Sequence, residues 1–423
     1  MGSRQVELLT RVEGHAVYAV DLERGEVRGV KFAPVEGARL FEAWLKGRHY
    51  DEVYLFASRI CGFCPVSHNL ASIKAVENAF EVTPSEQTVK LRKLMNYGEI
   101  LQSHCIHVFF LSLPDFLGAE SAFALLNEHA DGVKAAVKFR EHANYIIEAV
   151  GGRAIHPMAS TIGGFRRLPT KSQLNEMLRR AKAMEKLLDV LVDFYAEAVL
   201  PEFSRETEYL ALQNPSEYAL YDGYLASTEG LKAEVQAYKQ YLEEEIRDYS
   251  TAKFYFRNGR PFMVGALARV NLNFSQLADE AREAANKLGF KPPNHNSFHN
   301  NTAQLIEMVH CVSEVCRLLE EVSSGLRDEN PPEVKVKAGR GVGSVEAPRG
   351  TLIHCYELGG DGLLREVDIV TPTALSLNNV EADMLALVKQ HAGEGGERVA
   401  SLVEALIRSY DPCISCSVHL VKA

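Results

Sequence analysis

No run of about 18 apolar residues, the length needed to cross a bilayer, occurs in the 423-residue sequence. Direct membrane insertion is therefore not expected. The polar start Met1-Gly2-Ser3-Arg4-Gln5 lacks the apolar segment of a secretory signal, which sets the expectation of a cytoplasmic protein. Positive charge is in deficit, 46 Lys and Arg against 56 Asp and Glu, for a net charge of -10. That balance argues against nucleic acid or an anionic membrane as the main partner. No Gly-x-Gly-x-x-Gly or phosphate loop appears, so no nucleotide cofactor is expected on this chain. Linkers rich in Pro, Gly and Ser, charge blocks and internal repeats are also missing, which favours a single domain over residues 1–423. Eight cysteines are too few for a disulfide scaffold in a chain this long and fit a reducing compartment.

What is present reads as long helices with a small β portion. Polar and apolar residues alternate over 6–35 around Glu23-Arg24-Gly25-Glu26, which predicts a hairpin or small meander and a β-rich segment 1–60. Thr83-Pro84-Ser85-Glu86 reads as a capping box with Pro84 at the first helical position. Beyond it Leu91, Leu94, Gly98, Leu101, Cys105 and Val108 recur at three- and four-residue steps, the seam of a buried helix. Thr170-Lys171-Ser172-Gln173 repeats the cap before Leu174, Met177, Leu178, Ala181, Leu188 and Leu191, with Pro201 as the expected stop. A third amphipathic run covers 300–321, so 61–345 is expected to be a mainly helical bundle. Strands are predicted at 351–356 and 366–370, and a last helix over 382–410, making 346–423 a mixed segment. The fold class is mainly α with a small β portion, α+β, built as a long-helix bundle.

Four of the cysteines, Cys105, Cys311, Cys316 and Cys355, stand singly on apolar stretches, where a free Cys behaves as a small hydrophobe. The other four form two pairs. One is in Arg59-Ile60-Cys61-Gly62-Phe63-Cys64-Pro65-Val66-Ser67-His68, the other in Asp411-Pro412-Cys413-Ile414-Ser415-Cys416-Ser417-Val418-His419, 352 positions away (413 − 61). Cys-x-x-Cys spacing lets two sulfurs reach one metal from a single turn of chain, and thiolates suit zinc, copper(I), nickel or iron. On spacing alone a structural zinc site leads, on the general preference of four-thiolate sites. A redox disulfide would call for a βαβ setting that the pattern does not supply.

The flanking residues break the tie. Arg-x-Cys-Gly-x-Cys-x-x-x-His together with a terminal Asp-Pro-Cys-x-x-Cys-x-x-His resembles the nickel-iron hydrogenase large subunit. The resemblance runs along nearly the whole chain. It includes Arg11-Val12-Glu13-Gly14-His15, Glu42-Ala43-Trp44-Leu45-Lys46-Gly47-Arg48, Gly151-Gly152-Arg153-Ala154-Ile155-His156-Pro157 on to Gly163-Gly164-Phe165, Glu346-Ala347-Pro348-Arg349-Gly350, and Val370-Thr371-Pro372-Thr373. It implies that family's long-helix fold and reversible heterolytic cleavage of dihydrogen, with electrons leaving through an iron–sulfur small subunit. Further diaphorase-like subunits are implied by the likeness to cytoplasmic multisubunit members.

Carried over residue by residue, the resemblance implies that Cys61 and Cys413 bind nickel terminally. Cys64 and Cys416 would bridge nickel to an iron bearing carbonyl and cyanide. Cys413 would take the proton and Glu13 would relay it outward. Arg349, oriented by Asp411, would overhang the metals; Pro348 and Thr373 would lie beside the iron, with Thr373 bonded to a cyanide. Glu42, the main-chain carbonyl of Ile369 and His419 would hold magnesium, although imidazole suits that hard cation poorly. His68 would hydrogen-bond a bridging sulfur from behind. The chain departs from the pattern at Ser103, where an acidic partner of Arg349 often stands, and in keeping Leu420-Val421-Lys422-Ala423 after His419. Two other readings compete. A non-catalytic relative of the complex I type would lack the Cys pairs, and a zinc-stabilised interaction protein would bind zinc and no nickel.

Overall fold

The computed structural model describes residues 3–23, 26–37 and 39–418. The expected N-terminal meander is a three-stranded antiparallel sheet of Ser3–Leu8, Ala16–Glu23 and Glu26–Pro34, in sequence order. Four long helices, Glu86–Ile106, Ala130–Gly151, Lys171–Ala196 and Asn300–Gly325, pack side by side as the bundle. A second antiparallel meander, Gly339–Ala347, Gly350–Leu358 and Leu364–Val370, closes the other side. Buried apolar residues form one large cluster running from Leu9 to Val418, with a smaller cluster beside it. Among the described residues no helix is long and apolar enough to cross a membrane.

Local chemistry explains the boundaries, including those that differ from expectation. The Glu86–Ile106 helix is capped by Ser85, which accepts from the Thr88 amide at 3.1 Å. Pro84 therefore precedes the cap instead of opening the helix, and it holds Thr83 extended. The Thr170 capping box forms in full: Thr170 Oγ1 accepts from Gln173 N at 3.3 Å, and Gln173 Oε1 accepts from Thr170 N at 2.9 Å. That helix ends at Ala196, short of Pro201. Beyond it Ala198 and Leu200 still pack against the core while Val199 is 80% exposed, and Pro201 disfavours helical backbone at Leu200. The last predicted helix is two, Pro372–Gln390 and Gly396–Ser409. Gly393, Gly395 and Gly396 break it, each costing about 1 kcal/mol in a helix interior. Short strands Glu208–Gln213, Tyr224–Ser227, Lys232–Ala233 and Phe262–Met263 make a sheet inside the stretch expected to be helical.

One contact sets the position of the first Cys pair. The Pro65–Phe80 helix, which begins at Cys64, lies on the Gly339–Ala347 strand. Two strand residues advance about 6.6 Å and four helix residues about 6 Å, so alternate strand residues meet successive turns. Gly339, Gly341 and Gly343 face Ala79, Ala75 and Ala71. A Cβ at Gly341 would lie 2.0 Å from Ala75 O, and one at Gly343 would lie 2.2 Å from Ala71 O. Gly343→Ala is expected to lower stability by about 3 kcal/mol through overpacking, read as a drop in the thermal midpoint. Gly29→Ala, where a methyl meets nothing within 4 Å, should leave the midpoint nearly unchanged.

Candidate metal centre

The chain ends bring both Cys pairs to one point. A 3₁₀ turn, Ser58–Ile60, delivers Cys61; Cys64 caps the Pro65–Phe80 helix, with Pro65 preset for its first turn. Cys413 immediately precedes the short helical turn Ile414–Ser417, and Cys416 sits on it. The sulfurs lie 3.3 Å apart for Cys61 and Cys413, 3.5 Å for Cys64 and Cys416, and 2.7 Å for Cys413 and Cys416. All four are buried within 4.8 Å of one another, and no other such group of metal-ligating residues exists among the described residues. The amides of Phe63 and Cys64 also donate to Cys61 Sγ, at 3.2 and 3.3 Å.

Burial and mutual contact set the protonation of these thiols. Burial pushes the Cys413 and Cys416 thiols well above their ordinary value. Cys64 is pulled down by hydrogen bonds with Cys413 and Cys416, but Cys61 and burial outweigh them and push it up to about 12. At Cys61 burial is in turn outweighed by hydrogen bonds from the other three thiols and by the Arg349 charge, and its value is lowered. Four thiolates this close can coexist only around a cation, which deprotonates each ligand it binds.

Glu13 reaches the same point from the N-terminal segment. Its main chain pairs with Cys413, and its carbonyl accepts from Ile414 N at 3.0 Å. Gly14 permits this approach: at φ +83° it takes a left-handed turn, and a Cβ there would sit 2.7 Å from Ile414 Cβ. The Cys413 thiol donates to Glu13 Oε2 at 3.2 Å; the Ser415 amide donates to the same oxygen at 3.0 Å and the Ser415 hydroxyl to Oε1.

Arg349 is the third component. Its Nε donates to the carbonyl and Oδ1 of Asp411 at 2.8 and 3.0 Å, and Nη2 lies 2.8 Å from Oδ1. The guanidinium stands over the Phe63 ring at 5.6 Å. Its Nη1 is buried with no hydrogen-bond partner, so one charged donor is left for a group bound over the sulfurs. The four thiols fit a thiolate-bound metal, and the guanidinium is close enough for its charge to interact with Cys61, Cys64 and Cys413.

The family described as nickel-dependent hydrogenase matches residues 39–135 and 204–419. The chain belongs to that family. It is 34% identical over 424 residues to sulfhydrogenase 1 subunit alpha of Pyrococcus furiosus, covering 99% of this chain and 98% of the relative. It is 33% identical over 419 residues to sulfhydrogenase 2 subunit alpha of the same organism, covering 99% of each. A crystal structure of an NAD+-reducing [NiFe]-hydrogenase in the H2-reduced state superposes with a TM-score of 0.90 at 29% identity, over 99% of both chains.

The hydrogenase places the remaining expected residues as follows. Thr373 Oγ1 accepts from Cys413 N at 2.9 Å, leaving its hydroxyl hydrogen free to donate elsewhere. Ser103 Oγ is buried without a partner. The Pro348 carbonyl accepts from Arg269, and His68 Nδ1 faces His354 Nε2 at 3.0 Å. Glu42 Oε1 accepts from Ile369 N at 2.8 Å and from the Lys253 ammonium at 3.1 Å. Burial pushes the Glu42 carboxyl up, and Lys253 works against that. His419, the other side chain expected to hold magnesium, and the tail that follows lie outside the described residues.

Other polar residues of the hydrogenase gave no signal in the sequence. Gln304 donates to Asp411 Oδ2 at 3.0 Å and accepts at 2.5 Å from His107, whose other ring nitrogen meets the Arg408 carbonyl at 2.7 Å. Asp115 ties Arg11 to Arg408, joining the Glu13 segment to the approach to Asp411. Glu99 is fully buried and takes the amides of Val66 and Ser67 at 2.6 and 2.9 Å, closing the helix that starts at Cys64. Burial pushes its carboxyl up to about 8. Such residues lie on helix faces where a polar side chain normally means solvent.

Proposed function

We propose that this chain is the catalytic large subunit of a nickel-iron hydrogenase that cleaves dihydrogen reversibly and heterolytically into protons and electrons. The observation that carries the reading is the convergence of four buried thiols, a carboxylate hydrogen-bonded to one of them, and an unpaired guanidinium nitrogen. Cys61 and Cys413 would hold nickel as terminal ligands, with Cys64 and Cys416 bridging to an iron that carries carbonyl and cyanide. When bound, that pair supplies the electron acceptor and the Lewis acidity that polarise dihydrogen.

The protein's own residues then manage the proton and the charge. Cys413 Sγ accepts the proton, and Glu13 Oε2, at 3.2 Å, takes it on by hydrogen-bond transfer. Arg349 directs Nη1 at the bound ligands while Asp411 fixes its plane. Thr373 turns its hydroxyl hydrogen to a cyanide, with Pro348 beside it. His68 steadies the bridging sulfurs from behind. Ser103 leaves Arg349 with Asp411 as its carboxylate partner. A magnesium ion at Glu42, the Ile369 carbonyl and His419 would pin the C-terminal segment.

Electrons leave through an iron–sulfur small subunit, because Cys105, Cys311, Cys316 and Cys355 form no metal-ligating group among the described residues. The NAD+-reducing activity of the structural neighbour supports additional diaphorase-like subunits. Glu13→Gln tests the relay. It keeps the volume and removes the proton-carrying group, so hydrogen-isotope exchange with water should slow by about 100-fold, the contribution of one positioned acid–base group. Nickel content should stay unchanged. Full exchange activity in that variant would mean the proton leaves by another path.

A further inference from the structure

Behind the Arg349 turn lies a second arginine, fully enclosed. Arg269, on the helix Ala266–Asn273, is 0% exposed, and all five of its N–H donors are used. Nε donates to Glu307 Oε1 at 2.6 Å. Nη2 donates to Glu307 Oε2 at 2.6 Å and to the Pro348 carbonyl at 3.0 Å. Nη1 donates to Glu346 Oε2 and to the Ala347 carbonyl, both at 3.0 Å. One guanidinium therefore grips the three residues that lead into Arg349.

The grip is itself anchored. Glu307, on the Asn300–Gly325 helix, also accepts from the Tyr218 hydroxyl at 2.6 Å and meets His104 Nε2 at 2.8 Å. Glu346 Oε1 accepts from Leu212 N at 2.8 Å and from the Thr351 hydroxyl at 2.6 Å. The helix start also abuts the turn directly: a Cβ on Gly350 would lie 2.8 Å from Gly265 N, and one on Gly265 would lie 3.3 Å from Arg349 O. Buried ion pairs add little net stability over apolar residues of similar volume, so holding the fold together does not by itself account for this cluster.

We infer that Arg269 is a positioning residue that sets where the unpaired Nη1 of Arg349 stands over the four thiols. Asp411 fixes the guanidinium from the front, and Arg269 fixes the backbone from behind. The inference rests on the role proposed for Arg349.

Arg269→Lys in the complete enzyme tests it. Lysine keeps the charge but offers three donors at a point in place of a five-donor fork, so the Ala347 and Pro348 carbonyls lose their fixed partner. Nickel content should match the unsubstituted enzyme. Turnover should fall about 100-fold, the cost of a displacement of about 1 Å. The infrared bands of the iron-bound diatomics should move without disappearing. Added to Arg349→Lys, the same change should cost no more than roughly twofold further, because residues acting through one group are not additive. Glu346→Gln, which keeps volume and weakens only one side of the grip, should shift the bands the same way with a smaller loss of turnover.

Unmoved bands with normal turnover in both variants would overturn the inference. So would a fully additive double variant, or nickel loss that tracks the activity loss in both. Absence of the bands from the unsubstituted enzyme would be a failure of the nickel-iron reading instead, and is recognised by that.

Discussion

Cys413→Ala is expected to purify without nickel and without detectable hydrogenase activity, and Cys61→Ala likewise. The two sulfurs face each other at 3.3 Å inside a cluster whose members lie within 4.8 Å. Removing either leaves three donors where the cavity holds four. Thiolate sites couple metal binding to folding with energies on the order of 10 kcal/mol, so losing one donor is decisive for retention. Cys413→Ala also removes the proton donor to Glu13. Cys311→Ala is the control. That thiol is equally buried but belongs to no cluster, so its loss should cost about 1 kcal/mol of stability and leave nickel and turnover intact. Elemental analysis beside a dihydrogen-uptake assay separates the two outcomes, and equal losses in all three variants would indicate general misfolding.

Arg349→Lys should keep its metals and lose most of its rate. The guanidinium spends Nε and Nη2 on Asp411 and keeps Nη1 buried and unpaired, with its charge felt by Cys61, Cys64 and Cys413. An ammonium offers one charged point and cannot grip Asp411 and reach the bound ligands together. Losing one preorganised donor at a charged transition state costs roughly 100-fold or more in kcat. Nickel content should stay that of the unsubstituted enzyme, because Arg349 donates to no sulfur in the structure. A variant that loses nickel in proportion to activity would make Arg349 a structural residue of the metal site.

How much of this could be read from sequence depended on whether the signal was local. Cys61 with Cys64, and Cys413 with Cys416, are local pairs, and the Arg, His and Asp-Pro residues around them carry the family resemblance that implies nickel where spacing alone favours zinc. The Thr170 cap was legible for the same reason: both halves of its box lie within four residues. Pro84 misled because a proline can stand before a cap as well as after it. Pro201 marked the stop only approximately, because a proline bars helix at itself and the residue before it and does not fix where, upstream, the helix ends. The two-helix ending was written in Gly393, Gly395 and Gly396, which the apolar periodicity on either side concealed. The strands between Glu208 and Met263 are two to six residues long, too short for alternation to stand out. Gln304, Glu99 and Arg269 were invisible for another reason. Each is a polar residue on a helix that the tertiary fold turns inward, and one sequence does not reveal which polar positions are enclosed.

Infrared spectroscopy of the purified, dihydrogen-reduced enzyme tests the central claim most directly. The account predicts absorption from one carbonyl-type and cyanide-type ligand set, in proportion to a nickel content of about one per chain, as one four-thiolate cluster requires. The bands should vanish in Cys64→Ala, which lacks a bridging sulfur. A protein that turns over dihydrogen with zinc, or with nickel but none of these bands, would contradict it.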